Sequence, residues 1–275
     1  MRLLGHKVSF LAQVGIAIVA INLLIALLAP MIAPFDQATP VGDAWADPSA
    51  EHWLGLDNVG RDILSRLIFG ARMSIGLSLV ITMLSFVIGI ITGFAASVAG
   101  GWIDQALSRL VDLMLSMPTL IFAFVVLSVL GSALPVLIFT IAILDSTKVF
   151  RLARAVAMNI VSLEFVEAAR LRGEGWWWII TREILPNAMP PLTAEFGLRF
   201  CFTFLFIAAL SFLGLGVQPP DADWGSMVKD YRDMINFGSA APLYPAGAIA
   251  ALTIGVNFVV DWMLSVYSQS HGEGA

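Results

Sequence analysis

The residues of this 275-residue sequence that could do chemistry are the few ionisable and amide side chains set within long apolar runs. Asp145 and Lys148 stand three apart in the run that begins near Leu134, so on a helix they share a face and can pair. Asn257 and Asp261 stand four apart in the last apolar run. An ionisable residue at membrane depth marks a path for solutes or ions, which makes Asp145, Asn257 and Asp261 candidates to line one. The spacing leaves a plainer reading open, in which Asp145 is simply neutralised by Lys148 close to a membrane edge. A different kind of candidate is Glu167-Ala168-Ala169-Arg170-Leu171-Arg172-Gly173, followed by Ile184-Leu185-Pro186-Asn187. It is a charge-rich insertion between two apolar runs.

Other chemistry is missing from the sequence. No Gly-x-x-x-x-Gly-Lys-Ser/Thr phosphate loop occurs, so no ATP site is expected in this chain. His6, His52 and His271 are scattered and form neither a zinc cluster nor His-Glu-x-x-His, so no metal site is expected. No Gly-x-Ser-x-Gly elbow or paired acid–base set is present; the chain reads as a non-enzyme with no catalytic residue. Cys201, alone inside an apolar run, reads as a small buried hydrophobe. The arginines around residues 170–182 flank a membrane loop, where lipid headgroups or an acidic partner suffice and nucleic acid is not needed. Trp176-Trp177-Trp178 fits an interfacial anchor.

The elements that must position these residues are membrane helices. Hydrophobic residues make up 59% of the chain and charged residues only 13%, against about 25% in a soluble domain. The expected fold is an all-α integral membrane protein with six transmembrane helices. A basic N-terminus (1–7) precedes a first span over 8–35, which is too long for the apolar core of a signal peptide. Residues 36–72 are polar, with an amphipathic helical spacing at 63, 64, 67 and 68, a piece expected to lie along the membrane surface or to lead directly into the second span. A five-helix core over 73–266 follows, and a polar tail occupies 267–275. Within the core the second span ends near Gly100-Gly101, the third bends at Pro118 and ends near Leu130, and the fourth starts at Leu134-Pro135. The fifth covers Phe200 to Pro220 and the sixth Leu243 to Val266.

Between the fourth and fifth spans, at about 158–190, Glu164 to Arg172 reads as a short helix. Its basic residues lie near the C-terminal end, where they suit the dipole. Gly173 stands where a positive φ lets the chain turn back. A second helical run, Trp176 to Leu185, is expected to end at Pro186, with Pro190-Pro191 preventing continuation. With both termini cytoplasmic, ten Lys and Arg fall inside and five (Arg61, Arg66, Arg72, Lys229 and Arg232) outside, in keeping with the positive-inside rule.

Glu167-Ala168-Ala169, with Gly173 six residues after the Glu and Leu185-Pro186 beyond, resembles the EAA loop of ABC-transporter permeases. Three further stretches are similar to one branch of that family, the second (C-type) permease of binding-protein-dependent dipeptide, oligopeptide and nickel importers. They are His52-Trp53-Leu54-Gly55-Leu56-Asp57-Asn58-Val59-Gly60-Arg61-Asp62, then Asp104 to Asp112 with Met117-Pro118, and Ser211-Phe212-Leu213-Gly214-Leu215-Gly216 with Asp223-Trp224-Gly225. The likeness covers roughly residues 50–260. It departs at Leu56, where the family has Thr, at Asp145-Ser146-Thr147, and at Val260-Asp261-Trp262-Met263, which keeps only the Asp of the usual closing motif.

The resemblance implies a type I importer permease fold in a bacterial inner membrane. It implies that this chain forms half of a translocation path for di- or oligopeptides, with nickel, glutathione or opine-type solutes as alternatives within the family. The implied partners are a second homologous permease, one or two ATPase subunits that hold ATP and Mg, an extracytoplasmic solute-binding protein, and membrane lipid. No cofactor is implied for this chain. Glu167, Ala168, Ala169, Gly173, Leu185 and Pro186 would couple the chain to the ATPase. Glu167 would touch its surface, the two alanines would permit close docking, and Gly173 would set the angle to the next helix. Two readings of other classes are an autonomous secondary transporter and a membrane hydrolase. The first expects internal inverted repeats, and the second a catalytic constellation; neither is evident in the sequence.

Overall fold

The computed structural model describes the backbone of residues 2–3, 6–7 and 9–272 and the side chains of residues 9–266. The expected basic N-terminus and polar tail fall outside the described side chains. Ahead of the helices, Arg2–Leu3 and His6–Lys7 pair as two antiparallel two-residue strands, β1 and β2. Helix α1 (Phe10–Ile32) opens on Ser9, whose Oγ accepts the Ala12 N–H.

Helix α2 (Ile63–Ala99) is capped by Asp62, whose carboxylate accepts the Ser65 N–H at 2.7 Å. The amphipathic stretch at 63–72 leads directly into the second span, the second of the two placements its sequence allows. It forms the first turns of a 37-residue helix roughly 55 Å long. Along α2 the hydroxyls of Ser78, Thr82, Ser85, Thr92 and Ser97 donate to carbonyls one turn back, which hides their polarity inside the helix. At Gly89 an added Cβ would come within 2.6 Å of Val149, so its absence lets α2 and α5 (Leu134–Val161) approach closely. Small residues serve this purpose in membranes, where packing replaces the hydrophobic effect as the force between helices.

The third span departs from expectation. It is two helices, α3 (Gly101–Leu115) and α4 (Thr119–Leu130), bent by 86° at the break between them. Pro118 lacks the N–H that would continue α3 and disfavours helical backbone at Met117, so the chain turns instead of kinking. Among the described residues four helices are long and apolar enough to cross a membrane: Phe10–Ile32, Ile63–Ala99, Trp176–Phe212 and Leu243–Val266, with the bent α3–α4 pair as a fifth candidate. Helix α5, 28 residues long, carries Asp145, Lys148 and Arg151 within it.

After α5 come α6 (Glu164–Leu171), the single turn α7 (Trp176–Trp178), a π-helical segment (Ile179–Ile184) and α8 (Leu185–Phe212). The expected stop at Pro186 does not occur; helical backbone runs from Trp176 to Phe212. Pro186 falls in the first turn of α8, where a missing N–H costs little, and the wider π turn lies immediately before it. Polar side chains also bond carbonyls along this stretch: Asn187 Nδ2 donates to the Glu183 carbonyl at 2.6 Å, and Thr193 Oγ1 to that of Pro190 at 2.8 Å.

The chain then forms α9 (Trp224–Tyr231), a 3₁₀ turn (Arg232–Phe237) and α10 (Leu243–Gly272). Asp223 caps α9 through the Gly225 and Ser226 N–H groups; burial pushes its carboxyl up against the pull of those bonds. Residues 221–233 are thereby anchored. Trp224 Nε1 donates to the Leu67 carbonyl at 2.9 Å, and Trp224, Met227 and Tyr231 are buried.

At the same end of α2, residues 35–62 fold around Asp57, which is fully buried. Its carboxylate accepts the Val59 and Arg61 N–H groups and Arg61 Nε at 2.8 Å, with Arg66 Nε at 3.3 Å. His52 Nδ1 lies 3.1 Å from Asp62. Gly60, at φ +85, leaves no room for a side chain, because a Cβ there would lie 2.1 Å from the Gly42 carbonyl oxygen. The His52-to-Asp62 motif is thus a folding unit that closes the start of α2. Removing one member of a buried ionic network costs about 3–5 kcal/mol. Asp57→Asn is expected to loosen residues 35–62, read as at least tenfold faster trypsin cleavage at Arg61 in the detergent-solubilised protein, with the membrane helices still resistant.

Candidate functional site

Two places in the chain hold the residues singled out from the sequence, Asn257 and Asp261 excepted. The first is α6 at the end of the bundle opposite α9. Its helix is fastened by Val166 and Ala169, both fully buried in a cluster with Ile160, Ile179, Ile184 and Ala188. Glu167, Ala168, Arg170 and Leu171 lie on the exposed face. The two alanines face opposite ways: Ala168 outward and Ala169 inward, into the packing of α6. The helix ends in a Schellman turn. The Glu174 N–H donates to the Ala169 carbonyl and the Gly173 N–H to that of Arg170, with Gly173 at φ +83. The Arg172 guanidinium sits 5.8 Å from the centre of the Trp178 ring, joining the turn to α7. Leu185 is partly buried and Pro186 exposed, both just beyond the π segment.

The second place is a charged cluster between α5 and α8. Asp145, buried, has Lys148 Nζ at 3.6 Å, Arg199 at 3.7 Å and Thr203 Oγ1 at 3.4 Å. Arg199 is also held by Glu195 at 2.7 Å and lies over the Phe202 ring at 4.8 Å. A cavity of about 90 Å³ opens beside Asp145 and Lys148, lined otherwise by Thr119, Ile141, Leu144, Phe202, Thr203 and Phe206. The structure does not bring the other two pathway candidates here. Asn257 faces α8 from α10, with Nδ2 on the Thr253 carbonyl at 2.8 Å and 3.8 Å from Cys201 Sγ, and Asp261 is exposed. Sequence reasoning passed over Arg199, Glu195 and Thr203. The signal was there in Glu195 and Arg199, an i,i+4 pair of opposite charge in an apolar helix. A third charged link, Arg154 to Asp104, ties α5 to α3, with Nη2 donating to Oδ2 at 2.6 Å.

A bundle of long apolar helices, with charge held between two of them and a rigid short helix fixed at one end, defines a multi-pass membrane transport subunit. Residues 85–270 match the family described as "Binding-protein-dependent transport system inner membrane component". The chain is 35% identical over 256 residues to the dipeptide transport system permease protein DppC of Alkalihalophilus pseudofirmus, covering 93% of this chain and 84% of that one. It is 35% identical to the di/tripeptide transport system permease protein DppC of Pseudomonas aeruginosa, over 90% and 84% of the two chains. It is 34% identical to the nickel transport system permease protein NikC of Escherichia coli, over 90% of each.

The chain belongs to the binding-protein-dependent transport system inner membrane component family. It is accordingly a multi-pass inner-membrane permease subunit of an ABC importer, a transport component and not an enzyme, whose family works with solute-binding and ATPase partners.

The two alanines of α6 give a direct check. Forcing a larger side chain into a packed core costs about 1–3 kcal/mol. Ala169→Leu is expected to speed trypsin cleavage at Arg170 and Arg172 by about tenfold, the equivalent of 1.4 kcal/mol, whereas Ala168→Leu leaves it within twofold.

Proposed function

We propose that this chain is the second permease of an ATP-driven peptide importer, crossing the membrane six times with both termini in the cytoplasm. The six crossings would be α1, α2, the α3–α4 pair, α5, α8 and α10. The distribution of Lys and Arg supports this orientation, since it puts ten on the cytoplasmic side, including all of those around α6, and five on the other.

The observation that carries the proposal is the construction of α6: an eight-residue helix bolted to its own chain on one side and open on the other, joining α5 to α8 through a fixed turn. Such a helix moves as a unit when pushed. In the proposed mechanism a pair of ATPase subunits, holding ATP and Mg, closes on nucleotide and displaces α6. Glu167 and Ala168 meet the ATPase surface, and Gly173, Leu185 and Pro186 fix the angle at which the displacement reaches α8. This chain binds no cofactor. It forms half of the solute path, a homologous permease forms the other half, and an extracytoplasmic solute-binding protein delivers the cargo.

The identity to relatives named for dipeptide and di/tripeptide transport favours peptides as the cargo. The relative named for nickel, at nearly the same identity, supports nickel as the second reading. Asp145 is proposed to face the path, while Asn257 and Asp261 are weaker candidates because they lie apart from it.

The test is purification of the tagged chain in mild detergent from its own membrane, followed by an ATPase assay. Co-elution of a second permease and one or two ATPases, with hydrolysis stimulated by a loaded solute-binding protein, is the expected result; an ATPase-free homo-oligomer would overturn the importer reading. Screening that binding protein against peptides and nickel decides between the two cargoes. Within the assembly, Gly173→Leu places a side chain in left-handed backbone at a cost of about 1–2 kcal/mol. Solute uptake is expected to fall at least tenfold while ATP hydrolysis continues and the protein stays folded; normal uptake would show that the turn does not set the coupling angle.

A further inference from the structure

The ammonium of Lys148 is in an unusual position. It lies fourteen residues into α5, about 21 Å from the start of the helix, which on the six-crossing reading is the inner, cytoplasmic third of a hydrocarbon core about 30 Å thick. Yet its side chain is 37% exposed. Its ion-pair partner among the described residues is Asp145, at a loose 3.6 Å, and Asp145 divides its attraction with Arg199 at 3.7 Å. Arg199, paired with Glu195 at 2.7 Å, does not line the cavity. Lys148 is the cation that does.

Lipid tails cannot solvate an ammonium, so the face that carries Lys148 has to meet water, a polar partner or a charged ligand. One helical turn away on the same face, Arg151 is 64% exposed and 3.8 Å from an equally exposed Asp112, which extends the polar strip along α5. The cavity beside Lys148 has an apolar floor of Ile141 and Leu144 and aromatic walls of Phe202 and Phe206. A cation with free donors at the rim of a small apolar and aromatic cavity suits a ligand with a carboxylate attached to a hydrophobic group.

We propose that Lys148, held in place by Asp145, is a specificity-determining residue that receives the free carboxylate of a peptide in transit. This rests on the peptide-importer reading above and deepens it: the pathway takes substrates with an unblocked C-terminus. Asp145 acts as a positioning residue, and Phe202 and Phe206 provide the surface for the adjoining side chain.

The test uses the whole assembly in sealed vesicles, with its solute-binding protein loaded to saturation, and follows uptake of a dipeptide alongside stimulated ATP hydrolysis. Lys148→Gln is expected to lower uptake about tenfold with stimulated hydrolysis kept within twofold. Lys148→Arg should retain at least half of the uptake, and Lys148→Glu should fall below Lys148→Gln. The ratio of dipeptide uptake to that of its C-terminal amide is expected to drop at least fivefold in Lys148→Gln. Uptake by Lys148→Gln within twofold of the unaltered chain, an equal loss in Lys148→Gln and Lys148→Arg, or an unchanged acid-to-amide ratio would each overturn the proposal. So would an effect seen in vesicles containing phosphatidylglycerol but not in pure phosphatidylcholine, since Lys148 would then be serving an anionic lipid headgroup. If the unaltered assembly stimulates hydrolysis yet carries nickel in place of peptide, or shows no uptake dependent on the binding protein, the importer reading of peptides fails first and this proposal with it.

Discussion

Charge that cannot reach water has to be satisfied inside the chain, and in a membrane protein this constraint sets where helices may touch. Lipid is as apolar as leucine, so the hydrophobic effect does not press membrane helices together. Their arrangement comes from close packing and from directional polar contacts. Three such contacts tie this structure together. Asp57 gathers Arg61 and Arg66 and closes the polar segment onto the start of α2. Arg154 and Asp104 fix the far end of the bundle by joining α5 to α3. Asp145 links α5 to Arg199 and Thr203 of α8 between those two levels. The remaining hydroxyls of α2 and α5 mostly turn back on their own helices, as Ser146 and Thr147 do on the Ile143 and Leu144 carbonyls. Asp145 is therefore the side chain in its turn of α5 that reaches across.

Packing at small residues does the rest. Gly89 and Gly93 of α2 meet Val149, Phe150 and Ala153 of α5 at distances that no larger side chain would allow. Gly15 of α1 comes as close to Gly255 of α10. Such contacts are rigid because a membrane interior offers no water to fill a gap, and loss of one close approach removes many small dispersion contacts together. The polar links and the glycine contacts alternate along α5, so this helix is held to α2 by shape and to α3 and α8 by charge.

Much of this was legible in the sequence, and the failures share a cause. Length and uninterrupted apolarity set out α1, the end of α2 at Gly100, and α10, because a bilayer imposes a minimum on both. The charge-rich run predicted α6, and the position of Gly173 predicted its turn, because a left-handed residue has so few alternatives to glycine. Proline acts in opposite directions at its two places. The bend expected at Pro118 is present and goes as far as a break between two helices, whereas Pro186, Pro190 and Pro191, which read as a stop, lie inside a helix. A proline's effect depends on where it falls in the helix and on its surroundings: Pro186 lies in the first turn of α8, directly after a π turn. That information lies in three dimensions. The same is true of Ala168 and Ala169, neighbours of one type that face opposite ways, and of Arg199, whose importance depends on a helix some fifty residues earlier in the chain.

The two candidate sites are mechanically related, although they share no residue. Helix α6 is inserted between α5 and α8, separated from α5 by Ser162 and Leu163 and from α8 by the Gly173 turn and the π segment. A displacement of α6 therefore reaches α5 and α8 together, and these are the helices that Asp145 and Arg199 connect. Apolar contacts between the same helices are non-directional and slide at small cost. An ion pair in a low dielectric does not, since its energy changes steeply with separation. On the proposed coupling role, the Asp145 cluster is thus the part of the α5–α8 contact that senses the motion of α6 most sharply, and Lys148, on the cavity side of that cluster, is where such a motion would change what the path presents to its cargo.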